Sequence, residues 1–279
     1  MLLGLAAIWG SAFMFTRIAL RDFEPSTLIL FRIGAGGLAL GLYVRLAGFR
    51  LAALRPFVWP LALLGLVNTA VPFYSIAWGQ QHIDSGLAAI LNASAPLFTA
   101  LFALSVDHTQ RVSGLRLVGV VVGFVGVILL VGFGIGDGRT AVEGALAVVA
   151  ASALYGIGGL YAGRGFAGLP SPLVAFGTLV WATLFVAPLG IAQASSPGWE
   201  GLFSVLYLGV VCTGAAYLLY FGLIAGAGAA RAVLVTYLVP SLALVYGAVF
   251  LDEPVKALSI AGLALVLAGV ALGTGSVRR

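Results

Sequence analysis

The chain alternates long apolar runs with short breaks that contain charged residues, glycine or proline. A helix needs about 20 mainly apolar residues to cross the ~30 Å hydrocarbon layer of a bilayer, because each residue advances it by about 1.5 Å. The pattern meets this requirement ten times and leaves no room for a soluble domain. The predicted spans are residues 2–20, 27–46, 58–80, 86–105, 114–133, 142–162, 173–193, 201–224, 231–250 and 257–275.

The composition supports a membrane protein. Of the 279 residues, 62% are hydrophobic and 8% are charged, whereas a soluble domain carries roughly a quarter charged residues. The net charge of +5 comes from arginines grouped between the apolar runs, so it reports membrane topology and not nucleic-acid binding. The expected surroundings are a lipid bilayer, with no nucleic-acid partner.

The arginine distribution predicts the orientation. Basic residues concentrate in cytoplasmic connections of membrane proteins. With a cytoplasmic amino terminus, nine basic residues lie inside and four outside, which predicts a multi-pass protein of the bacterial inner membrane with both termini in the cytoplasm. The inner set is Arg45, Arg50, Arg55, Arg111, Arg116, Arg164, Arg231, Arg278 and Arg279, and the outer set is Arg17, Arg21, Arg139 and Lys256.

Groups for catalysis or metal binding are scarce. The single cysteine, Cys212, lies in an apolar run, and the two histidines, His82 and His108, belong to separate predicted connections. Neither a metal site nor a catalytic arrangement at membrane depth can be built from them, so we expect no enzyme, no metal and no cofactor. All nine acidic residues lie in connections or at helix ends, which favours facilitated diffusion or exchange over proton antiport.

The two halves of the sequence match weakly but in order. The matches extend over three successive spans, which predicts two five-helix repeats, residues 1–135 and 140–279. Because each repeat holds an odd number of spans, the second is inverted relative to the first. The matched pairs are Tyr74 with Tyr217, Gly79 with Gly222, Pro96 with Pro240, Gly119 with Gly262 and Gly126 with Gly269.

The predicted fold class is therefore an all-α membrane protein with ten transmembrane helices in two inverted five-helix repeats. Inverted repeats give a carrier two nearly equivalent conformations, with a site at the repeat interface near mid-membrane. Gly119 and Gly123 are spaced for close helix packing, either within the chain or across a dimer, so both a monomer and a homodimer are open.

Several motifs resemble the drug/metabolite transporter superfamily, EamA type. They are the opening Ile8 to Phe13, the Phe31-Arg32 pair, the mid-helix Pro96 and Pro240, and Leu251 to Pro254 before Gly262 and Gly269. The resemblance covers the whole chain, twice, and is greatest for the YddG-like exporters. It implies alternating-access export of aromatic and other neutral amino acids. One departure is that Asp252-Glu253 before the last helix corresponds only to Asp107-His108 in the first half, so the two gates are expected to be unequal.

Pro96 and Pro240 are predicted hinges. Each removes a backbone donor and frees the carbonyl four residues earlier. Freed carbonyls beside small polar side chains are candidate ligands for a substrate ammonium or hydroxyl. The alternative is a structural kink satisfied by a neighbouring serine or threonine. The candidate ligands are Asn92, Ser94, Thr236 and Tyr237.

Aromatic side chains are predicted to line the cavity, since polar rings avoid hydrocarbon. The alternative is packing or lipid contact. The candidates in the third and eighth spans are Tyr74, Trp78, Tyr217 and Phe221, and those in the first and sixth are Trp9 and Tyr155.

Two charged or titratable residues complete the candidate set. Arg32 lies about seven residues into its span, where a charge is costly unless paired. We expect a structural ion pair near the outer surface with a carboxylate such as Glu253, the alternative being a substrate carboxylate. His82 follows the third span, where it could serve as a gate, substrate contact or proton site, or be a solvated loop residue.

A small-molecule substrate, a neutral or aromatic amino acid, is thus the leading hypothesis. A multidrug or cationic-metabolite exporter would be expected to hold an acidic residue in its cavity, and a nucleotide-sugar carrier would need several basic ones. A gated channel is a further alternative.

Overall fold

The computed structural model describes residues 1–106, 114–134, 138–194, 196–228, 232 and 234–273, and all regular structure within these ranges is helical. The predictions that concern Asp107, His108, Arg111, Arg231, Arg278 and Arg279 lie outside the described residues. The helices are α1 (Leu2–Ala19), α2 (Pro25–Leu46), α3 (Val58–Gly65), α4 (Val71–Gln80), α5 (Ser85–Asn92), α6 (Ala95–Val106), α7 (Leu115–Leu129), α8 (Arg139–Gly165), α9 (Ser171–Ala192), α10 (Trp199–Leu206), α11 (Ala216–Ala227), α12 (Val235–Phe250) and α13 (Ala257–Gly273).

Eight helical segments are long and apolar enough to cross a membrane, and the shorter apolar helices α12 and α13 occupy the positions of the last two predicted spans. The prediction of a multi-pass helical membrane protein is confirmed. The eight segments are Leu2–Ala19, Pro25–Leu46, Leu51–Gln80, Ser85–Ala103, Leu115–Phe133, Arg139–Gly165, Ser171–Ala192 and Trp199–Ala227.

Local sequence explains where helices begin and end. Pro25 is the first residue of α2, where its missing N–H is not needed. Gly48, with φ of 74°, follows α2, and the Phe49 N–H reaches back to the Val44 carbonyl at 3.1 Å. This is a common way of closing a helix at a glycine in the left-handed region.

Contacts between connections show that the helices alternate in direction. The Asp22 carboxylate accepts hydrogen bonds from the N–H groups of Gly198 and Gly201 at 3.1 and 3.2 Å, and Phe57 packs on Phe166 at the opposite end. We call the end that holds residues 20–24, 81–84, 196–198 and 251–256 the outer end, after the charge-based prediction.

Wide, π-helical turns interrupt two of the long segments. Leu66–Ala70 lies between α3 and α4, and Tyr207–Ala215 lies between α10 and α11. Such turns place an extra residue in one helical turn, and they often occur at functional sites. The interruptions therefore set which faces of α4 and α11 point inward.

Glycines allow the closest helix pair, α7 with α13. A Cβ atom on Gly126 would lie 2.8 Å from Leu265 Cβ, and one on Gly269 would collide with Gly123. The glycines of the two helices thus pack on each other within the chain. The sequence had left open whether they pack within the chain or across a dimer.

Candidate functional site

Arg32 projects from α2 into the interior of the helix bundle. Its Nε donates to the Thr213 hydroxyl at 3.4 Å, and its Cζ lies 4.4 Å from the centre of the Phe73 ring. The expected ion pair with Glu253 is wrong: neither that carboxylate nor any other in the described part of the chain lies within 4.0 Å of the guanidinium. Glu253 is instead bonded to the start of α5, because α2 turns Arg32 inward and away from the outer connections.

Aromatic residues from four helices surround Arg32. Tyr155 of α8 meets Phe73 edge-on with ring centres 6.5 Å apart. Tyr217 of α11 packs against the same core cluster as Phe73, and both tyrosines lie near the guanidinium. The Trp9 indole N–H donates to the Cys212 carbonyl at 3.2 Å, beside Thr213. We call these residues the Arg32 cluster: Trp9, Arg32, Phe73, Tyr155, Thr213 and Tyr217. Three predicted substrate residues, Trp9, Tyr155 and Tyr217, therefore come together.

Equivalent backbone contacts relate members of the cluster to one another. A Cβ on Gly65 would approach the Thr178 carbonyl at 2.9 Å, and one on Gly209 would approach the Arg32 carbonyl at 2.7 Å. These two similar contacts, in the third and eighth spans, are 144 residues apart. Phe73, the neighbour of Tyr74, stands at the same separation from Tyr217.

A second contact relates the first helix of each half. Gly10 packs on Leu242 and Ala243, while Gly156 packs on Phe98 and Thr99, which precede those residues by the same 144 positions. Gly10 and Gly156 differ by 146, and so do Trp9 and Tyr155. Two aromatic pairs of the cluster, Trp9 with Tyr155 and Phe73 with Tyr217, therefore have the same sequence separations as these similar contacts.

Sequence reasoning missed Phe73 because it matched Tyr217 with the next residue along α4, Tyr74. The equivalent glycines Gly65 and Gly209, one in each half, carry the signal that could have found it.

The predicted residues Tyr74, Trp78 and His82 follow a neighbouring face of α4. The Trp78 and His82 rings are 4.7 Å apart and edge-on. A Cβ on Gly144 of α8 would lie 2.9 Å from His82 Cβ, which places this pair at the outer end. Trp78 and His82 therefore lie on the outer side of the Arg32 cluster.

The span that contains Pro96 is broken at Ala93 and Ser94, so Pro96 lies in the first turn of α6. Proline fits there because its missing N–H is not required. The buried Ser94 hydroxyl donates to the Leu91 carbonyl at 2.6 Å. The Asn92 amide oxygen lies 3.5 Å from the Ser152 hydroxyl of α8. These contacts agree with the alternative interpretation, in which a serine hydroxyl bonds a backbone carbonyl beside the helix break.

Pro240 is buried within the continuous helix α12. Thr236 and Tyr237 are half-buried in its first turn, and Tyr237 packs against the core cluster that includes Leu91 and Ala243. The Ser241 hydroxyl lies 3.5 Å from the Tyr237 carbonyl. The two predicted hinges thus differ, one at a helix break and the other inside a helix.

At the outer end, Glu253 caps α5. Its Oε1 accepts from the Ser85 N–H at 2.8 Å, and its Oε2 accepts from the Ser85 hydroxyl at 2.9 Å and from the Gly86 N–H at 3.1 Å. A carboxylate at a helix N-terminus satisfies free N–H groups and complements the helix dipole. We call Glu253, Ser85 and Gly86 the outer latch, because it ties the connection after α12 to the start of α5.

A cavity of about 540 Å³ lies beside the outer latch, lined by Arg17, Gln81, Asp84, Asp252 and others. Burial, and then the nearby Glu253 carboxylate, raise the pKa of Asp84. Two carboxylates close together resist simultaneous ionisation. The outer end is therefore polar and partly acidic, unlike the centre.

Comparison with known families decides the class of protein. The model of the EamA-like transporter family matches residues 1–132 and again residues 142–274. This chain belongs to the EamA-like transporter family. It is a membrane transporter and not an enzyme, as the sequence predicted.

Full-length relatives agree with this membership. The chain is 28% identical to the uncharacterized inner membrane transporter YedA of Escherichia coli K12, over 98% of this chain and 89% of YedA. It is 28% identical to the uncharacterized transporter YdfC of Bacillus subtilis, with 94% and 86% covered. It is 29% identical to a probable terminal-alkyne amino-acid exporter of Streptantibioticus cattleyicolor, with 95% and 89% covered.

One solved crystal structure is similar over 100% of this chain and 97% of its own, with a TM-score of 0.72 and 22% sequence identity. At that identity the likeness concerns the fold alone.

Proposed function

We propose that this EamA-like transporter exports neutral amino acids with apolar or aromatic side chains from the bacterial cytoplasm. It does so by facilitated alternating access between two inverted five-helix repeats. The observation that carries the proposal is the Arg32 cluster, in which both halves of the chain contribute aromatic side chains around one central cation.

The repeat architecture is supported by matched packing. α1 packs on α12 as α8 packs on α6, and α2 packs on the Tyr207–Ala215 turn as α9 packs on α3. Both α2 with α9 and α7 with α13 pair corresponding helices of the two halves. Together with the two family matches, these pairs favour a twofold relation with its axis near the Arg32 cluster.

The conformation favours a carrier that is closed at the outer end. The outer latch holds α5 against α12, and the Arg17 guanidinium donates to the Gln80 carbonyl. Towards the other end the same span continues as α6, which packs mainly on α8. A closed outer end above a central site corresponds to the inward-facing state of alternating access, in which a cytoplasmic substrate would enter.

The substrate class is supported by chemistry and by one relative. Four aromatic rings in two pairs suit an apolar or aromatic side chain. The relative described as a probable terminal-alkyne amino-acid exporter is similar over nearly the whole chain. A cationic-metabolite exporter would be expected to hold an acidic residue in its cavity. The six residues of the Arg32 cluster include none.

Facilitated transport is supported by the positions of the acidic residues. Within the described ranges they lie in connections or in the first two turns of helices: Asp22, Glu24, Asp84, Glu143, Glu200, Asp252 and Glu253. A proton-coupled carrier ordinarily places such a group at membrane depth.

The test is counterflow in proteoliposomes with labelled phenylalanine, methionine, threonine and an organic cation. We expect saturable, trans-stimulated uptake of phenylalanine and methionine that an ionophore collapsing the proton gradient leaves unchanged. Uptake of the organic cation alone would overturn the amino-acid assignment. Loss of uptake with the ionophore would overturn facilitation, and non-saturable flux would indicate a channel.

A further inference from the structure

Among the described residues, no carboxylate lies within 4.0 Å of the Arg32 guanidinium. A guanidinium carries five N–H donors, and within the described part of the chain its hydrogen-bond acceptor is the Thr213 hydroxyl, through Nε. The Thr213 hydroxyl in turn donates to the Leu208 carbonyl at 2.9 Å. Burying a charge at membrane depth is costly unless an opposite charge or several hydrogen bonds compensate for it. Among the described residues, the donors on the two terminal nitrogens have no hydrogen-bond acceptor.

The position of the guanidinium is nevertheless well defined. Phe73 lies against its face, with the ring centre 4.4 Å from Cζ, and Thr213 holds Nε. These two contacts orient the terminal nitrogens, whose planar fork matches a carboxylate in two parallel hydrogen bonds.

Under the repeat relation proposed above, the packing position of Arg32 does not require a cation. The Gly65 and Gly209 contacts make Thr178 the counterpart of Arg32, and the Thr178 hydroxyl bonds the Val174 carbonyl of its own helix at 2.7 Å. The same packing position is thus filled by a neutral residue in one half and by arginine in the other. The asymmetry indicates a role for the charge besides packing.

We propose that Arg32 binds the carboxylate of the transported substrate while the paired rings of Trp9, Tyr155, Phe73 and Tyr217 contact its apolar side chain. The site recognises the carboxylate end of the substrate, and the ammonium group contributes little. The identity of the substrate as an amino acid rests on the function proposed above, whereas the carboxylate assignment rests on the Arg32 cluster itself.

The single charge sets the ligand class. One guanidinium balances one carboxylate, whereas a phosphate dianion would leave a charge uncompensated in a site of low dielectric. The Arg32 cluster offers an ammonium group ring faces and neutral hydroxyl groups but no carboxylate. A carboxylate that lacks the ammonium group should therefore bind, and an amine that lacks the carboxylate should not.

The first experiment uses the unmodified protein in proteoliposomes. Labelled phenylalanine counterflow is measured against 3-phenylpropanoate, phenylalanine amide, phenethylamine and phenyl phosphate. We expect half-maximal inhibition by 3-phenylpropanoate at a concentration within about tenfold of that required for unlabelled phenylalanine. The other three compounds should require concentrations at least about tenfold higher than 3-phenylpropanoate. Inhibition by the amide or amine equal to that by 3-phenylpropanoate would overturn the proposal, as would stronger inhibition by phenyl phosphate.

The second experiment uses Arg32→Gln and Arg32→Lys, with Arg45→Gln as the matched control because Arg45 is exposed on the same helix. Loss of a charged hydrogen bond costs roughly 10- to 100-fold in affinity. We expect KM for phenylalanine to rise by about that factor in Arg32→Gln, with partial recovery in Arg32→Lys and no change in Arg45→Gln. An unchanged KM in Arg32→Gln would overturn the proposal. If that variant does not fold, the competition profile of the unmodified protein decides.

Calorimetric titration of the purified proteins with 3-phenylpropanoate separates this inference from the proposed function. If phenylalanine is not transported but 3-phenylpropanoate binds in an Arg32-dependent manner, the amino-acid function fails and the carboxylate site stands. If phenylalanine is transported but 3-phenylpropanoate neither binds nor competes, the site assignment fails and the function stands. If neither compound binds, both fail.

Discussion

Replacing Glu253 with alanine should open the outer latch. The substitution removes three hydrogen bonds, two of them from N–H groups in the first turn of α5. Losing a helix N-cap costs about 0.5–2 kcal/mol, and losing a negative charge at a helix N-terminus costs a further ~0.3–1 kcal/mol. We therefore expect a loss of roughly 1–3 kcal/mol.

This loss should be measurable as thermal stability. A change of about 1 kcal/mol shifts the unfolding midpoint by roughly 2–4 °C in a chain of this size, so Glu253→Ala should lower the midpoint by about 2–12 °C. The native cysteine supplies the assay, because Cys212 is 2% exposed. A maleimide dye that fluoresces on reaction with its thiol will report unfolding as the temperature rises.

The matched control is Asp252→Asn. Asp252 is the exposed neighbour of Glu253 and has a φ of 55°, a conformation that asparagine also tolerates. This variant removes a negative charge at the same connection without touching the cap, so its midpoint should match that of the unmodified protein. The latch argument is refuted if Glu253→Ala stays within about 1 °C of the unmodified protein, or if Asp252→Asn falls as far.

Three further results are expected. Burial and Glu253 raise the pKa of Asp84, so the stability contributed by its protonated form is lost as the pH rises through that pKa. Asp84→Asn should therefore raise the unfolding midpoint at pH 7.5. This gain should vanish under acidic conditions, where Asp84 is protonated. Gly269→Ala should destabilise by about 1–3 kcal/mol because its Cβ collides with α7. Gly159→Ala, with open space around it inside α8, should not lower the midpoint in the same thermal assay. A membrane-impermeant maleimide applied to intact cells should label Glu200→Cys and spare Arg50→Cys if the predicted orientation holds, and the reverse labelling would invert it.

The sequence by itself determined the class of the protein and the path of its chain. Apolar runs of about 20 residues locate helices in a bilayer because the hydrocarbon thickness is constant and each residue advances the helix by a constant rise. Short connections then force neighbouring helices to run in opposite directions, and the observed contact between Asp22 and Gly198 follows from that alternation. Trp9, Tyr155 and Tyr217 could be named in advance because polar rings avoid lipid.

Only the tertiary structure decided which faces meet. A helix turns by about 100° per residue, so Tyr74, which the sequence favoured, lies on a different face of α4 from Phe73, which contacts Arg32. The π-helical turns before α4 and α11 set those faces, and the apolar pattern does not report them. Arg32 was expected to pair with a carboxylate, because the sequence places this charge within an apolar span, where it is costly unless paired. Which group it contacts depends on the direction of the side chain. In the structure Glu253 is hydrogen-bonded to the start of α5, and Arg32 lies among aromatic rings and Thr213. Segments distant in the sequence determine both environments.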